Sequence, residues 1–191
     1  MIVNIRKFGL TSLIISVLIS CNSDRDVSYH ELSKERIVVG ENVTSSNNFD
    51  DDIEFAKLVA ENSMLEMQLA ALTIDRSSSD TIKRFAVSLM TDQSIFNSDI
   101  REFAERRGIT LTNTLSSKSQ KKFDVIAGKP AGEFDKAYCA FLVRESEEGV
   151  AKFKEEAETG NDPELKDWAA RKITTLEQHL VVARGLNETK Q

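Results

Sequence analysis

The sequence predicts an all-α protein, a four-helix bundle with one additional short helix. Only 8 Gly and 2 Pro occur in 191 residues, which is few for a chain with many turns. Apolar residues recur three and four positions apart along several long segments, as they do on the buried face of an amphipathic helix. Capping residues and glycines separate these segments. Long helices joined by short connections are typical of helical bundles.

The first two helices are expected to form a pair. Residues 50–52 are all Asp and favour a helix start, so we expect the first helix from about residue 50 to Thr73. Ser77 to Asp80 form a loop that ends in a helix cap. The second helix then continues to Arg107, where Gly108 stops it.

Three further helices are expected after Gly108. A short one covers residues 117–127 and is closed by Gly128. The next runs from about Gly132 to Thr159 and ends at a glycine. Residues 162–164 combine a cap, a proline at the first helical position and an acid, which predicts a last helix to about Asn187.

Residues 1–20 have the pattern of a lipoprotein signal peptide. Arg6 and Lys7 precede an apolar run over 8–20, which is short for a membrane-spanning helix. The run ends in Leu-Ile-Ser-Cys at 18–21, which resembles the lipobox of bacterial lipoproteins. We expect cleavage before Cys21 and lipid attachment to its thiol, which anchors the chain to a membrane. The alternative is an ordinary secretory signal that contains a cysteine.

The chain after the signal is expected to divide into a flexible polar tether over 21–49 and a helical domain over 50–188. Asn22 follows the cysteine, where Asp retains Gram-negative lipoproteins at the inner membrane. By that analogy Asn22 indicates the outer membrane, with the periplasmic side and the cell surface both open. Cys139 is expected to be a small buried residue, the alternative being a reactive thiol.

The charge of the chain limits its partners. The net charge of −6 argues against nucleic acid, because phosphate binding needs a basic patch. The expected partners are a membrane, through the lipid on Cys21, and an envelope protein or small ligand.

Several polar residues fall on the apolar faces of the predicted helices. In the third long helix the inner face is marked by Tyr138 and Leu142, with Glu145 at its edge. A carboxylate on such a face is costly unless it is paired, protonated or bound to metal. The residues that could form a polar centre inside the bundle are Glu66, Gln93, Asp135, Ser146 and His179.

Each of these residues also has a structural alternative. Glu66 could form a buried ion pair with a lysine or arginine at a helix end. Gln93 could be a hydrogen-bonded core amide, and Asp135 could cap its helix. His179 could be a hydrogen-bonded histidine at the core edge, and Ser146 is uninformative alone.

The sequence does not support a standard dinuclear metal centre. Such a centre in a four-helix bundle needs Glu-x-x-His on two helices, and the chain has no such motif. A mononuclear site at Glu66 and His179, with help from Asp92 or Asp135, stays open. It would bind iron, manganese or zinc weakly.

Residues 50–187 resemble the ferritin-like family of outer-membrane proteins called domain of unknown function 4142. The resemblance depends on FAVSLMTD at 85–92, FDKAY at 134–138 and LEQHL at 176–180. It implies a ferritin-like bundle, with histidines in this family at the positions of Gln93 and Ser146. A third histidine of the family is at the position of His179, the only one of the three that remains, so the resemblance weakens a metal site here.

These observations lead to two expected functions. The first is a lipid-anchored envelope protein whose non-catalytic bundle binds an envelope partner or a small ligand. The alternative is a metal-binding or redox protein with a degenerate site at Glu66 and His179. A hydrolase is disfavoured, since the predicted domain has one histidine and no clear nucleophile beside it.

Overall fold

The computed structural model describes residues 46–189, with side chains from residue 49 onward, and this range contains five helices and no strand. The helices are α1 (Ser46–Arg76), α2 (Asp80–Arg107), α3 (Ser117–Ala127), α4 (Ala131–Thr159) and α5 (Pro163–Glu188). The all-α bundle with one short helix is confirmed. The expected signal peptide, Cys21 and most of the tether lie outside the described residues. Within the described range, no helix is both long and apolar enough to span a membrane.

Most predicted helix ends are set by local chemistry. The side chain of Ser79 accepts a hydrogen bond from the backbone N–H of Ile82 and so caps α2. Gly108 ends that helix with a φ of 67°, a left-handed conformation that favours glycine. Asp162 caps α5 in front of Pro163, as the sequence predicts.

The start of α1 differs from the prediction. The helix begins at Ser46, inside the segment expected to be tether. Asp52 does not cap α1, because its carboxylate accepts hydrogen bonds from the backbone N–H groups of Asn161 (3.0 Å) and Asp162 (2.7 Å). These N–H groups lie in the turn between α4 and α5, where backbone donors need partners from outside the helices. Asp52 therefore ties α1 to the α4–α5 turn.

The apolar core consists of two clusters at different levels of the bundle. Cluster 1 comprises Phe55, Ala56, Val59, Ala60, Phe96, Ile100, Phe103, Val150, Phe153, Leu165, Ala169 and Leu176. Cluster 2 comprises Leu65, Leu69, Ile82, Leu89, Ile126, Phe134, Tyr138, Cys139, Phe141, Leu142, Ala183 and Leu186. The burial of Cys139 agrees with its expected packing role.

The order of these residues along each helix gives the chain direction. α1 and α5 run from cluster 1 to cluster 2, whereas α2 and α4 run from cluster 2 to cluster 1. Because α2 and α4 are parallel, the segment 108–130 between them travels the length of the bundle and carries α3. One long crossover of this kind is the connection found in ferritin-like bundles.

Candidate functional site

Polar residues separate the two apolar clusters. On each of the four long helices, at least one polar residue lies between the last residue of one cluster and the first residue of the other, and Glu66 on α1 directly follows Leu65, the first cluster 2 residue of that helix. The residues at this level, called the polar layer below, are Ser63, Glu66, Asp92, Gln93, Glu145, Ser146 and His179. The bundle therefore interrupts its core at one level on every long helix.

A hydrogen-bonded chain links α1 and α2 in the polar layer. Ser63 Oγ donates to Gln93 Oε1 at 2.9 Å, and Gln93 Nε2 donates to Glu66 Oε2 at 2.7 Å. Ser63 and Gln93 are buried, with 1% and 4% of their surface exposed. The first bond directs the amide N–H group of Gln93 toward Glu66, so the Glu66 carboxylate is held in a defined position.

A second carboxylate enters the polar layer from α4. Glu145 is 4% exposed, and both of its oxygens accept hydrogen bonds from Lys122 Nζ on α3, at 2.9 and 2.7 Å. Arg144 approaches Glu145 Oε1 at 3.3 Å from a largely exposed position. The charge of Glu145 is therefore balanced inside the protein.

α5 contributes an oriented imidazole. His179 Nε2 lies 2.8 Å from Asp92 Oδ2 on α2, and the ring packs edge-on against Phe85. His179 is 5% exposed, and its Nδ1 has no hydrogen-bond partner among the described residues. The carboxylate of Asp92 favours the proton on Nε2, which leaves Nδ1 of the neutral ring as an acceptor.

A cavity of about 330 Å³ lies at the polar layer and is lined by residues of all four long helices. Glu66, Gln93 and His179 contribute polar groups to its wall, together with Glu145 and Ser146. Its apolar wall comes from cluster 1, namely Val59, Phe96, Phe153 and Leu176. Leu58, Glu148 and Lys152 line the cavity and are exposed, so its mouth lies between α1 and α4.

Burial and a neighbouring charge change the acidity of Glu66. Burial in the bundle raises the pKa of Glu66 to about 7, and the charge of Glu145 adds to this effect. The hydrogen bond from Gln93 and the charge of Lys122 act in the opposite direction. Among the described residues, no Lys, Arg or His forms an ion pair with Glu66, so the ion pair considered for it is not formed.

The chain matches the family described as Domain of unknown function (DUF4142) over residues 41–186. It belongs to the DUF4142 family. No curated protein and no solved structure matches the chain.

Four of the predicted site residues of this DUF4142 domain line one cavity, namely Glu66, Gln93, Ser146 and His179. Asp92 joins them through its bond to His179. Asp135 lies elsewhere: it is near the start of α4, and Ser78 Oγ contacts its Oδ2 at 3.4 Å. Gln93 is a hydrogen-bonded amide, as the structural alternative for it states.

Three residues of the polar layer and its surroundings are not predicted as site residues from the sequence. Glu145 is buried rather than at the edge of the inner face, whereas Ser146 is only half-buried. Both positions fit a spacing of three and four between Leu142 and Gly149, so the pattern could not choose between them. Ser63 and Lys122 carry no sequence signal, because their roles depend on partners on other helices.

The residues present in this DUF4142 domain do not fit a metal ion. Within the part of the chain that the structure describes, no three His, Cys, Asp or Glu side chains are gathered as ligands. The oxygens of Glu145 face an ammonium group, and Glu66 accepts from an amide. Weak iron, manganese or zinc binding at Glu66 and His179 therefore has no geometric support here.

Proposed function

We propose that the protein is a lipoprotein anchored to the outer membrane. Its helical bundle binds a small ligand in the cavity at the polar layer and does not catalyse a reaction. The anchor is inferred from the lipobox at residues 18–21 and from the polar chain that follows it. The ligand-binding role is inferred from the cavity.

The observation that carries the ligand-binding role is the combination of an apolar wall with a few fixed polar groups. Binding sites for small molecules are concave, mostly apolar and equipped with a small number of polar groups that orient the ligand. Here Ser63 orients Gln93, and Gln93 orients Glu66. A purely structural core would close this level with apolar side chains rather than leave a cavity.

The non-catalytic part of the proposal follows from the surroundings of His179. Its hydrogen bond goes to Asp92, and no described Ser or Cys side chain is bonded to the ring. Ser63 donates to an amide instead of a base. Nucleophilic catalysis needs a nucleophile and a base within hydrogen-bond reach of each other.

The cavity can be blocked at Gly149, which lines it on α4. A Cβ added at Gly149 meets nothing within 4 Å, so Gly149→Leu is expected to fold and to fill the cavity. A suitable probe is 1-hexanol, titrated by calorimetry into the full-length protein in nanodiscs of zwitterionic lipid. We expect the variant to bind 1-hexanol at least about tenfold more weakly than the wild type.

The matched control is Gly185→Leu. Gly185 is helical, exposed and equally open to an added Cβ, but it does not line the cavity. We expect wild-type affinity for 1-hexanol in this variant. Equal binding of 1-hexanol by all three proteins, with binding detected above that of empty nanodiscs, would contradict the proposed function.

A further inference from the structure

The charges around the cavity are not all balanced. Glu145 is paired with Lys122, and the Lys152 ammonium at the mouth is paired with Glu155 at 2.7 Å. Glu66 lies deeper and accepts one hydrogen bond, from Gln93 to its Oε2. No described side chain donates to Glu66 Oε1. The cavity thus contains a carboxylate with an open acceptor and no cation of its own.

A second group at the cavity also lacks a donor. His179 lines the cavity, is 5% exposed, and has no hydrogen-bond partner on Nδ1 among the described residues. With Nε2 directed at Asp92, the Nδ1 of the neutral ring is an acceptor. This nitrogen has almost no accessible surface, so the group that a ligand can reach in the cavity is the open acceptor Glu66 Oε1. An open carboxylate oxygen favours a ligand with N–H donors.

The apolar wall limits the rest of the ligand. Val59, Phe96 and Phe153 present aliphatic and aromatic surface within reach of the polar layer. A ligand that is polar throughout would leave this wall against water or against unpaired polar groups. The site therefore suits a molecule with one charged end and an apolar body.

We propose that the cavity binds a small organic amine, whose ammonium group pairs with Glu66 and whose apolar body lies against Val59, Phe96 and Phe153. This inference rests on the proposed function, since it names the chemical class of the ligand for the same cavity. The ammonium group supplies several donors and a positive charge, and charge-assisted hydrogen bonds are the stronger ones. Glu66 is the counter-charge, and Gln93 holds it in place.

Binding of a cation at Glu66 is linked to a proton. The pKa of Glu66 is raised to about 7, so the carboxyl group is mostly protonated at pH 6. An ammonium group favours the ionised form, and binding at pH 6 then releases a proton. The charged or titratable groups that face Glu66 or share its cavity are Lys122 on α3, Tyr138, Glu145, Glu148 and Lys152 on α4, and His179 on α5.

The test compares n-hexylamine with 1-hexanol, which has the same chain and no charge. Both are titrated by calorimetry into the full-length protein in nanodiscs of zwitterionic lipid, with empty nanodiscs subtracted. We expect wild-type protein to bind the amine at least about tenfold more tightly than the alcohol at pH 8. At pH 6, two buffers of different ionisation enthalpy should reveal proton release with the amine and none with the alcohol.

Two variants identify the carboxylate responsible. Glu66→Gln should bring the amine affinity down to the alcohol affinity measured in the same variant, and it should abolish proton release. Glu148→Gln, the matched control, removes an exposed carboxylate at the mouth and should change the amine affinity less than about threefold.

The outcomes separate the two proposals. If wild-type protein binds the alcohol as tightly as the amine, the amine inference is wrong and the ligand-binding function stands. This comparison needs no variant, so it holds even if Glu66→Gln fails to fold. If neither probe binds wild-type protein more tightly than the Gly149→Leu variant, both proposals are overturned.

Discussion

At the scale of single residues, a buried acid near the end of α4 is under strong constraint. Glu156 is 5% exposed, and Gly160 follows one turn later. A Cβ at Gly160 would collide with the Glu156 carboxylate and would lie 2.6 Å from its backbone oxygen. Only glycine fits at position 160, because the Glu156 side chain and backbone oxygen lie where a Cβ would be. The missing Cβ allows the Glu156 side chain to fold back over the helix end.

This position makes the stability of the protein depend on pH. Burial is the largest cause that raises the pKa of Glu156, from 4.5 to about 7. The negative charge of Asp52 is the next cause, and the charges of Asp162 and Asp51 raise the pKa further. The positive charge of Lys166 lowers it. Below pH 4.5 the proton is bound in both states; between pH 4.5 and 7 the folded state retains a proton that the unfolded chain has released. The stability from this group is thus lost as pH rises toward 7.

We therefore predict that Glu156→Gln is more stable than the wild type at pH 8, by about 1–2 kcal/mol, and similar to it at pH 5. The measurement is unfolding in guanidinium chloride at several pH values, followed by fluorescence of Trp168, the only tryptophan. Glu155→Gln is the control, because that acid is exposed and paired with Lys152. A pH dependence equal to that of the wild type in Glu156→Gln would contradict the assignment.

At the scale of helices, α3 does more than connect α2 to α4. Glu61 on α1 accepts a hydrogen bond from the backbone N–H of Ser116 at the start of α3. Arg76, also on α1, donates to the backbone oxygens of Ala127 and Lys129 at its end. With both ends attached to α1, α3 directs Lys122 at Glu145, and the crossover thereby neutralises a charge inside the bundle.

We predict that Lys122→Met lowers the free energy of unfolding by about 2–3 kcal/mol, because it leaves the Glu145 charge buried without its partner. The double variant Lys122→Met/Glu145→Met should lie within about 1 kcal/mol of the wild type, since an apolar pair replaces the ion pair. Chemical denaturation of both variants measures these values.

Arg144→Met is the matched control for this prediction. Arg144 contacts the same carboxylate, but its side chain is 57% exposed and the distance is 3.3 Å. Its loss should cost less than about 0.5 kcal/mol. If the double variant is as unstable as Lys122→Met, the cost does not come from an uncompensated charge.

At the scale of the whole molecule, the proposed binding site and the proposed anchor lie in different parts of the chain. The cavity depends on residues between Leu58 and His179, all of them in the bundle. The expected lipid attachment is at Cys21, at the start of the expected tether. The anchor can therefore be tested separately from ligand binding.

For the anchor we predict that the wild-type protein expressed in a Gram-negative bacterium incorporates an alkyne-labelled fatty acid and fractionates with the outer membrane. Cys21→Ser should lose the label and keep its signal peptide, because the thioether precedes cleavage. Cys139→Ser, which changes the buried cysteine, should keep the label. In-gel fluorescence after membrane fractionation gives the result, and a labelled Cys21→Ser protein would exclude lipidation at this position.

The sequence by itself determined the class of fold and most helix boundaries. Ser79, Gly108 and Asp162 act on N–H and C=O groups within a few residues, so their effects can be inferred from neighbours in the chain. The apolar spacing likewise identified the inward side of each helix. The start of α1 was missed because Asp52 bonds to the α4–α5 turn, which is distant in sequence.

Only the tertiary structure decided the content of the site. Helical spacing fits both Glu145 and Ser146, and the packing of α3 with Lys122 brings Glu145 inside. The bonds from Gln93 to Glu66 and between Asp92 and His179 each join two helices whose relative rotation no local pattern specifies. Periodicity identifies one face of a helix, whereas a binding site depends on which residues of several faces meet at the same level.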